Sequence, residues 1–188
     1  VVMQVNATSS GLQPGDPVYG LACDPSKFLV TKLKGSLAEY ILAPIDQLAK
    51  KPTALSHAEA AAIPLAGTTA VQAFRQNKVG RGQRVLIIGA SGGVGHIAVQ
   101  VARHLGVHVT AVCSTRNVPL VGEECGANTV LSYDDGDVYD KLARDVAASG
   151  PFDFVFDCVS SADARDQAAS YMARVRSMQP PALRPAAK

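Results

Sequence analysis

Apolar and polar positions change their period twice along the chain. Up to residue 55 they form short runs, Val1 to Val5, Val18-Tyr19-Gly20 and Gly35 to Leu42, separated by glycine and proline. Runs of this length between turn residues predict β segments, with the stretch from Ala22 to Lys34 the least defined. At Ser56 the period becomes helical. Ser56-His57-Ala58-Glu59 has the pattern of a capping box, in which the Ser hydroxyl accepts from the backbone three residues on and Glu59 reaches back. The spacing predicts an Ala-rich helix to Ile63, broken by Pro64, and a second helix over Gly67 to Gln76. From Arg84 onward strand and helix alternate. Arg84 to Ile88 is an apolar run of the kind a strand shows when both its faces are covered. Val94, Ile97, Ala98, Val101, Ala102 and Leu105 then recur at helical spacing, with Gly106 as a stop. Val107 to Val112, Thr129 to Leu131 and Phe152 to Asp157 predict further strands. Val118 to Cys125 and Val138 to Ala148 predict helices. Such alternation implies an α/β fold with a parallel, doubly wound sheet.

Composition narrows the function classes. The 188 residues are 47% hydrophobic and 18% charged, with no apolar stretch of membrane-spanning length. Residues 1–166 hold 14 basic and 16 acidic side chains, so the body lacks the basic footprint of a nucleic-acid binder. Arg174, Arg176, Arg184 and Lys188 stand without an acid in an Ala- and Pro-rich segment, and 161–188 is expected to be a weakly ordered tail. Cys23, Cys113, Cys125 and Cys158 form no CxxC pair, which suggests reduced thiols rather than a zinc ribbon or a disulfide framework.

The densest chemical signal lies between Val85 and Leu105. Ala90-x-Gly92-x-x-Gly95 leaves a buried strand and opens an amphipathic helix. Gly92 and Gly93 let the backbone approach a pyrophosphate, and Gly95 lets the helix pack closely on the sheet. A glycine-rich turn without a ligand is the alternative. An NAD-specific site places an acid at the end of the next strand, yet no acid lies between Gly106 and Val121. Ser114, Thr115, Arg116 and Asn117 stand there instead. The Ser114 hydroxyl and the Arg116 guanidinium suit a 2′-phosphate that a carboxylate would repel, so NADPH is expected over NADH. A solvated loop charge is the other reading of Arg116.

Several segments together resemble the medium-chain dehydrogenase/reductase family, in particular its zinc-independent quinone oxidoreductase branch. They are Gly15 to Gly20, Gly35 to Tyr40, Ala60 to Ala70 (AAAIPLAGTTA), Ala90 to Ala102 (ASGGVGHIAVQVA), Gly126-Ala127-Asn128 with Tyr133, and Asp153 to Val159. The Cys-Ser-Thr-Arg-Asn stretch with His96 is most similar to chloroplast-envelope quinone oxidoreductase homologues and their bacterial relatives. The resemblance implies a partial GroES-like substrate domain over 1–65 and a partial Rossmann domain over 66–160, with further sequence expected at both ends. It implies that Gly92, Gly93 and Val94 hold the pyrophosphate, Ser114 and Arg116 the 2′-phosphate, and that Tyr133 flanks the adenosine. Thr68 and Val159 would lie by the nicotinamide. Many members carry a Lys two residues beyond Arg116, where this chain has Val118. Leu65-Ala66 stands where zinc-dependent members place a catalytic Cys, and Cys23 is isolated, so no metal is expected.

The implied chemistry is hydride transfer from NADPH to a quinone or to the C=C of an α,β-unsaturated carbonyl, with no proton donor identified. A small-molecule substrate, no nucleic acid, no integral membrane segment, a cytoplasmic or organellar location and an open question of homodimerisation complete the picture. Tyr19 and Tyr40 read as structural, His57 as a surface residue and Cys158 as a small core residue. His96 reads as an exposed helix residue or a phosphate neighbour. Asp134, Asp135 and Asp137 read as a solvated loop and helix start. The competing reading is a shortened, non-catalytic nucleotide-binding or interaction protein whose Phe152–Val159 strand edge is covered by a partner.

Overall fold

The computed structural model of the chain describes residues 1–5, 11–21 and 37–159. The chain divides into two compact units, Val1–Thr68 and Thr69 onward. The Ala22 to Lys34 loop, Cys23 and the 161–188 tail lie outside the described residues.

In the first unit, β1 (Val18–Gly20) pairs antiparallel with β2 (Leu48–Lys50), Tyr19 opposite Ala49. A 3₁₀ turn over Ile45–Gln47 feeds β2. Lys50 reaches 2.9 Å to Asp16, whose carboxylate also accepts from the Gln13 N–H at 2.8 Å. The Lys50 hydrogen bond holds the Asp16 carboxyl below its usual value. Val1 to Val5 is no strand. Its Val2 N–H and carbonyl are taken by Asp16 and Gly15 at 2.9 and 2.8 Å, a turn-like pairing rather than a ladder. Residues 37–42 also form no strand, and Leu37, Tyr40 and Leu42 are exposed. An apolar run becomes a strand only where a neighbour takes its backbone bonds in a continuous ladder, and no described residue does so along 37–42.

The expected break at Pro64 does not occur. One helix, α1, runs His57–Gln76 with Pro64 inside it. Pro64 forfeits one bond to the Ala60 carbonyl, but the helix is fixed on both sides of it. The capping box forms as expected: the Ser56 N–H donates to Glu59 at 2.8 Å and the Glu59 N–H to the Ser56 hydroxyl at 3.2 Å. Downstream, Ala70 and Phe74 are buried.

The second unit is built on a parallel sheet. Its elements in chain order are β3 (Arg84–Ile88), α2 (Gly93–His104), β4 (His108–Cys113), β5 (Thr129–Ser132), α3 (Val138–Ser149) and β6 (Phe154–Asp157). The spatial order is β5-β4-β3-β6, so the chain reverses its direction of travel across the sheet between β3 and β6. Alternation along the strands supplies two cores. Val85, Ile87, Val109, Ala111 and Cys113 pack with Ala98, Val99 and Ala102 of α2 and with Ala70 and Phe74. Leu86, Ile88 and Val112 pack on the other face with Leu142 of α3 and Phe152. Phe154 and Phe156, on one face of β6, meet the Phe74 ring edge-on at 6.1 and 5.8 Å.

The N-terminal end of the sheet is stapled. Arg84 donates to Asp145 at 2.7 Å and to the Gly150 carbonyl, and its guanidinium lies 4.8 Å from the Phe152 ring centre. The Thr110 hydroxyl adds a 3.1 Å bond to the same carboxylate. The helix expected over Val118 to Cys125 is instead a 3₁₀ turn at Thr115–Asn117 followed by a single π turn at Leu120–Glu124. The Cys125 N–H reaches the Leu120 carbonyl, and Ala127 reaches Val121, with Gly126 at φ +82° closing the turn. A one-residue widening leaves the apolar spacing almost helical, which is why the sequence reads as a regular helix.

Candidate nucleotide-binding site

All four parallel strands end at one edge, where the chain leaves β3 toward β4 on one side and returns to β6 on the other. This is the crevice in which open α/β sheets bind ligands. The loop leaving β3 is held from both sides. The Ala90 N–H donates to the Val112 carbonyl and the Cys158 N–H to the Ile88 carbonyl, extending both ladders by a residue. Gly89 then turns with φ +71°, and the Gly92 N–H closes back onto its carbonyl at 3.0 Å.

Gly92 precedes α2 in an extended conformation (φ −73°, ψ 172°) and offers no side-chain cap. The N–H groups of Gly93, Val94 and Gly95 in the first turn therefore have no helical acceptor. No acid stands in that turn, while Arg103 and His104 stand in the last. The positive end of the helix is thus left open, an arrangement suited to an anion. A Cβ on Gly93 would meet nothing within 4 Å, so that face is open. Gly95 differs: a Cβ there would overlap the Gly89 carbonyl and lie 2.8 Å from Ala90 Cα. The backbone cradle and its unclaimed donors fit a pyrophosphate.

His96 folds back on this turn. Its Nδ1 lies 2.8 Å from the Gly92 carbonyl, an atom that only accepts, so Nδ1 carries the hydrogen. The half-buried ring thus folds back from the first turn of α2 onto the loop that enters it.

The second wall follows β4. Ser114 opens the 3₁₀ turn, which closes through the Asn117 N–H on the Ser114 carbonyl at 3.0 Å. Asn117 Nδ2 donates to the Ser114 hydroxyl at 3.0 Å and to the Ser91 hydroxyl of the β3–α2 loop at 2.9 Å. On the other side the Thr115 N–H donates to Asp134 at 2.7 Å, and the Thr115 and Ser132 hydroxyls lie 2.6 Å apart. Arg116 is exposed and makes no ion pair among the described residues. Tyr133 is 54% exposed, and its N–H bonds the Cys113 carbonyl at 3.2 Å.

The structure thus brings Gly92, Gly93, Val94, Ser114, Arg116, Tyr133 and Val159 to one edge of the second unit. Thr68 is exposed on α1 and belongs to the first unit. Three residues of the site went unassigned in the sequence: Ser91, Asn117 and Asp134. The bond between Asn117 and Ser91 spans 26 residues, and no local spacing announces it. Asp134 supplies the acid missing after β4, from β5 instead, and spends its carboxylate on the Thr115 turn. Its neighbours are also engaged. Asp135 pairs with Lys141, which lowers its carboxyl, and Asp137 caps α3 by accepting from the Tyr139 N–H at 2.8 Å.

The described thiols are poor nucleophiles. Burial raises Cys113 and Cys125 and pushes Cys158 up to about 12. No three His, Cys, Asp or Glu side chains come together among the described residues, and no described helix is long and apolar enough to cross a membrane.

Comparison with known proteins agrees with this architecture. The family described as zinc-binding dehydrogenase matches residues 93–175. The chain is 39% identical over 166 residues to the bovine (Bos taurus) mitochondrial NAD(P)H oxidoreductase RTN4IP1, covering 85% of this chain and 38% of that protein. It is 38% identical over 149 residues to the trans-enoyl reductase pgmF of Aspergillus terreus, covering 79% and 39%. It is 43% identical over 105 residues to the chloroplast envelope quinone oxidoreductase homolog of Arabidopsis thaliana, covering 53% and 32%. The quinone oxidoreductase of Thermus thermophilus, solved alone and with NADPH, superposes with a TM-score of 0.59 at 30% identity, covering 72% of this chain and 44% of that one. The chain therefore spans about two fifths of the length of the bovine and Aspergillus relatives. The strand order, the glycine turn after β3 and these likenesses make the chain a homologue of proteins of the medium-chain dehydrogenase/reductase superfamily.

Proposed function

We propose that this chain carries the adenosine and pyrophosphate half-site of an NADPH-dependent oxidoreductase. Its acceptor is a quinone or the C=C of an α,β-unsaturated carbonyl. The observation that carries the proposal is the uncapped first turn of α2, whose unclaimed N–H groups share an edge with Ser114 and with the Arg116 guanidinium, unpaired among the described residues. The pyrophosphate meets Gly92, Gly93 and Val94 there. Arg116 and Ser114 take the 2′-phosphate, and Tyr133 lies against the adenosine. Arg116 acts alone at its end, because Val118 replaces the second cation many relatives carry.

NADPH, when bound, supplies the hydride. The chain's own part is orientation. Val159, packed against Gly89 at the end of β6, and Thr68 of α1 border the nicotinamide. Leu65 and Ala66, where zinc-dependent relatives carry a Cys, offer no ligand to a metal, so the reaction is proposed to be zinc-independent. The proton that follows hydride transfer comes from solvent. In domain terms, 1–65 serves the substrate and 66–160 the cofactor. Relatives named as quinone oxidoreductases and as a trans-enoyl reductase support the pair of acceptor classes.

Titrating the chain with NADPH, read by cofactor fluorescence, and then adding a small benzoquinone tests the proposal. Saturable binding followed by cofactor oxidation is expected. Binding without oxidation would favour a nucleotide-binding protein without catalysis. No binding would overturn the half-site itself.

A further inference from the structure

An Asn side-chain amide has two N–H hydrogens and no more. Asn117 spends both on hydroxyl oxygens, at 2.9 Å on Ser91 and 3.0 Å on Ser114. Each serine oxygen is then an acceptor toward Asn117, which leaves its own hydrogen to be given elsewhere. Ser91 lies in the β3–α2 loop and Ser114 at the end of β4, so one amide joins the two walls of the crevice. The backbone fixes that amide independently, because the Asn117 N–H closes the 3₁₀ turn on the Ser114 carbonyl. The Thr115 N–H and hydroxyl, bound to Asp134 and Ser132, anchor the same turn from the opposite side.

We propose that Asn117 is a positioning residue that sets the polarity of a hydroxyl pair, so that Ser91 and Ser114 both donate to one anionic group, the 2′-phosphate of the dinucleotide. The inference rests on the nucleotide site proposed above and adds a second hydroxyl and its orienting amide. Without Asn117 the two hydroxyls rotate freely and each must be ordered on binding. With a carboxylate in its place, both hydroxyls turn inward to donate to it, and the anion loses two donors.

The experiment compares adenosine 2′,5′-bisphosphate with 5′-AMP as calorimetric probes of the whole chain, with melting curves to verify folding. Wild type is expected to bind the bisphosphate more tightly than AMP. Asn117→Asp is expected to weaken the bisphosphate by about tenfold or more, and AMP by much less. The Asp also adds a charge, and a double-mutant cycle separates the two effects. In a Ser91→Ala/Ser114→Ala background the Asp penalty should shrink to about threefold or less. An undiminished penalty would mean that charge alone acts, and would overturn the proposal. So would an unchanged affinity, or equal losses for both probes. If Asn117→Asp fails to fold, Asn117→Ala carries the test: a loss of a few-fold that vanishes in the serine-free background is expected, and no loss overturns it. Wild type binding neither probe would overturn the nucleotide site as well, whereas wild type binding both equally would overturn only the 2′-phosphate assignments.

Discussion

A Cβ on Gly89 would fall 2.5 Å from Val159 Cγ2, so the turn that leaves β3 has no room for a side chain beside Val159, two residues past β6. The glycine is required twice over, because its φ of +71° is itself unfavourable for an L-residue. Gly89→Ala is expected to destabilise the second unit by about 2–3 kcal/mol, of which about 1–2 is backbone strain. Adding Val159→Ala removes the overlap but leaves the strain, so the double variant should regain about 1 kcal/mol. Urea unfolding of the two single variants and the double tests this. Strict additivity would show that the two residues do not meet.

Two glycines of α2 should respond in opposite ways. Gly95→Ala drives a methyl into the Gly89 carbonyl and Ala90 Cα, and backbone cannot step aside. It should cost about 3 kcal/mol or more and lower the melting temperature sharply. Gly93→Ala meets nothing within 4 Å. It should leave stability unchanged or raise it by about 0.5 kcal/mol, since alanine loses less entropy on folding. Its methyl nevertheless enters the space assigned to the pyrophosphate, so NADPH binding should weaken while melting does not. If Gly93→Ala bound NADPH as tightly as wild type, the pyrophosphate would have to lie elsewhere.

What could be seen in the sequence was whatever is local. The apolar run at Arg84 to Ile88, the glycines that follow and the 3.6-residue spacing of α2 are properties of neighbouring residues, and the structure keeps all of them. Pro64 misled because its penalty is also local, whereas what carries α1 past it is a cap at Ser56 and burial at Phe74. The runs at Val1 to Val5 and 37–42 misled for the converse reason, since a short strand exists only where a partner strand lies beside it, as β2 lies beside Val18–Gly20. Asn117 shows the limit most clearly. A polar residue in a turn has no periodicity, and its partner Ser91 becomes a neighbour only once β3 and β4 pair.

The capping box gives α1 a pH dependence. The Ser56 backbone N–H, and then its hydroxyl, hold the Glu59 carboxyl below its ordinary 4.5. A lowered carboxyl contributes stability above its ordinary value and loses that contribution as pH falls through the lowered one. Glu59→Gln should therefore melt below wild type at neutral pH, and the two curves should converge under acid conditions where Glu59 is protonated. A difference that persisted unchanged into acid would show that the glutamate's charge is not what the cap uses.

Arg116 has no acidic partner among the described residues, so its removal should leave the fold almost untouched. Its proposed partner is the ligand's 2′-phosphate. A guanidinium–phosphate contact is worth about 1.5–3 kcal/mol, so Arg116→Ala should weaken NADPH about ten- to a hundredfold. NADH lacks the phosphate and should change by no more than about twofold. Because the contact is electrostatic and exposed, the preference for NADPH in the unaltered chain should also shrink as salt rises. Asp134, which follows β5 and accepts from the Thr115 N–H, works against that preference, since its carboxylate lies beside the same turn. Fluorescence titrations of both cofactors against wild type and Arg116→Ala, each at low and high salt, decide the matter. Equal weakening of NADPH and NADH would mean that Arg116 orders the loop rather than reading the phosphate, and no weakening would leave the 2′-phosphate without its cation.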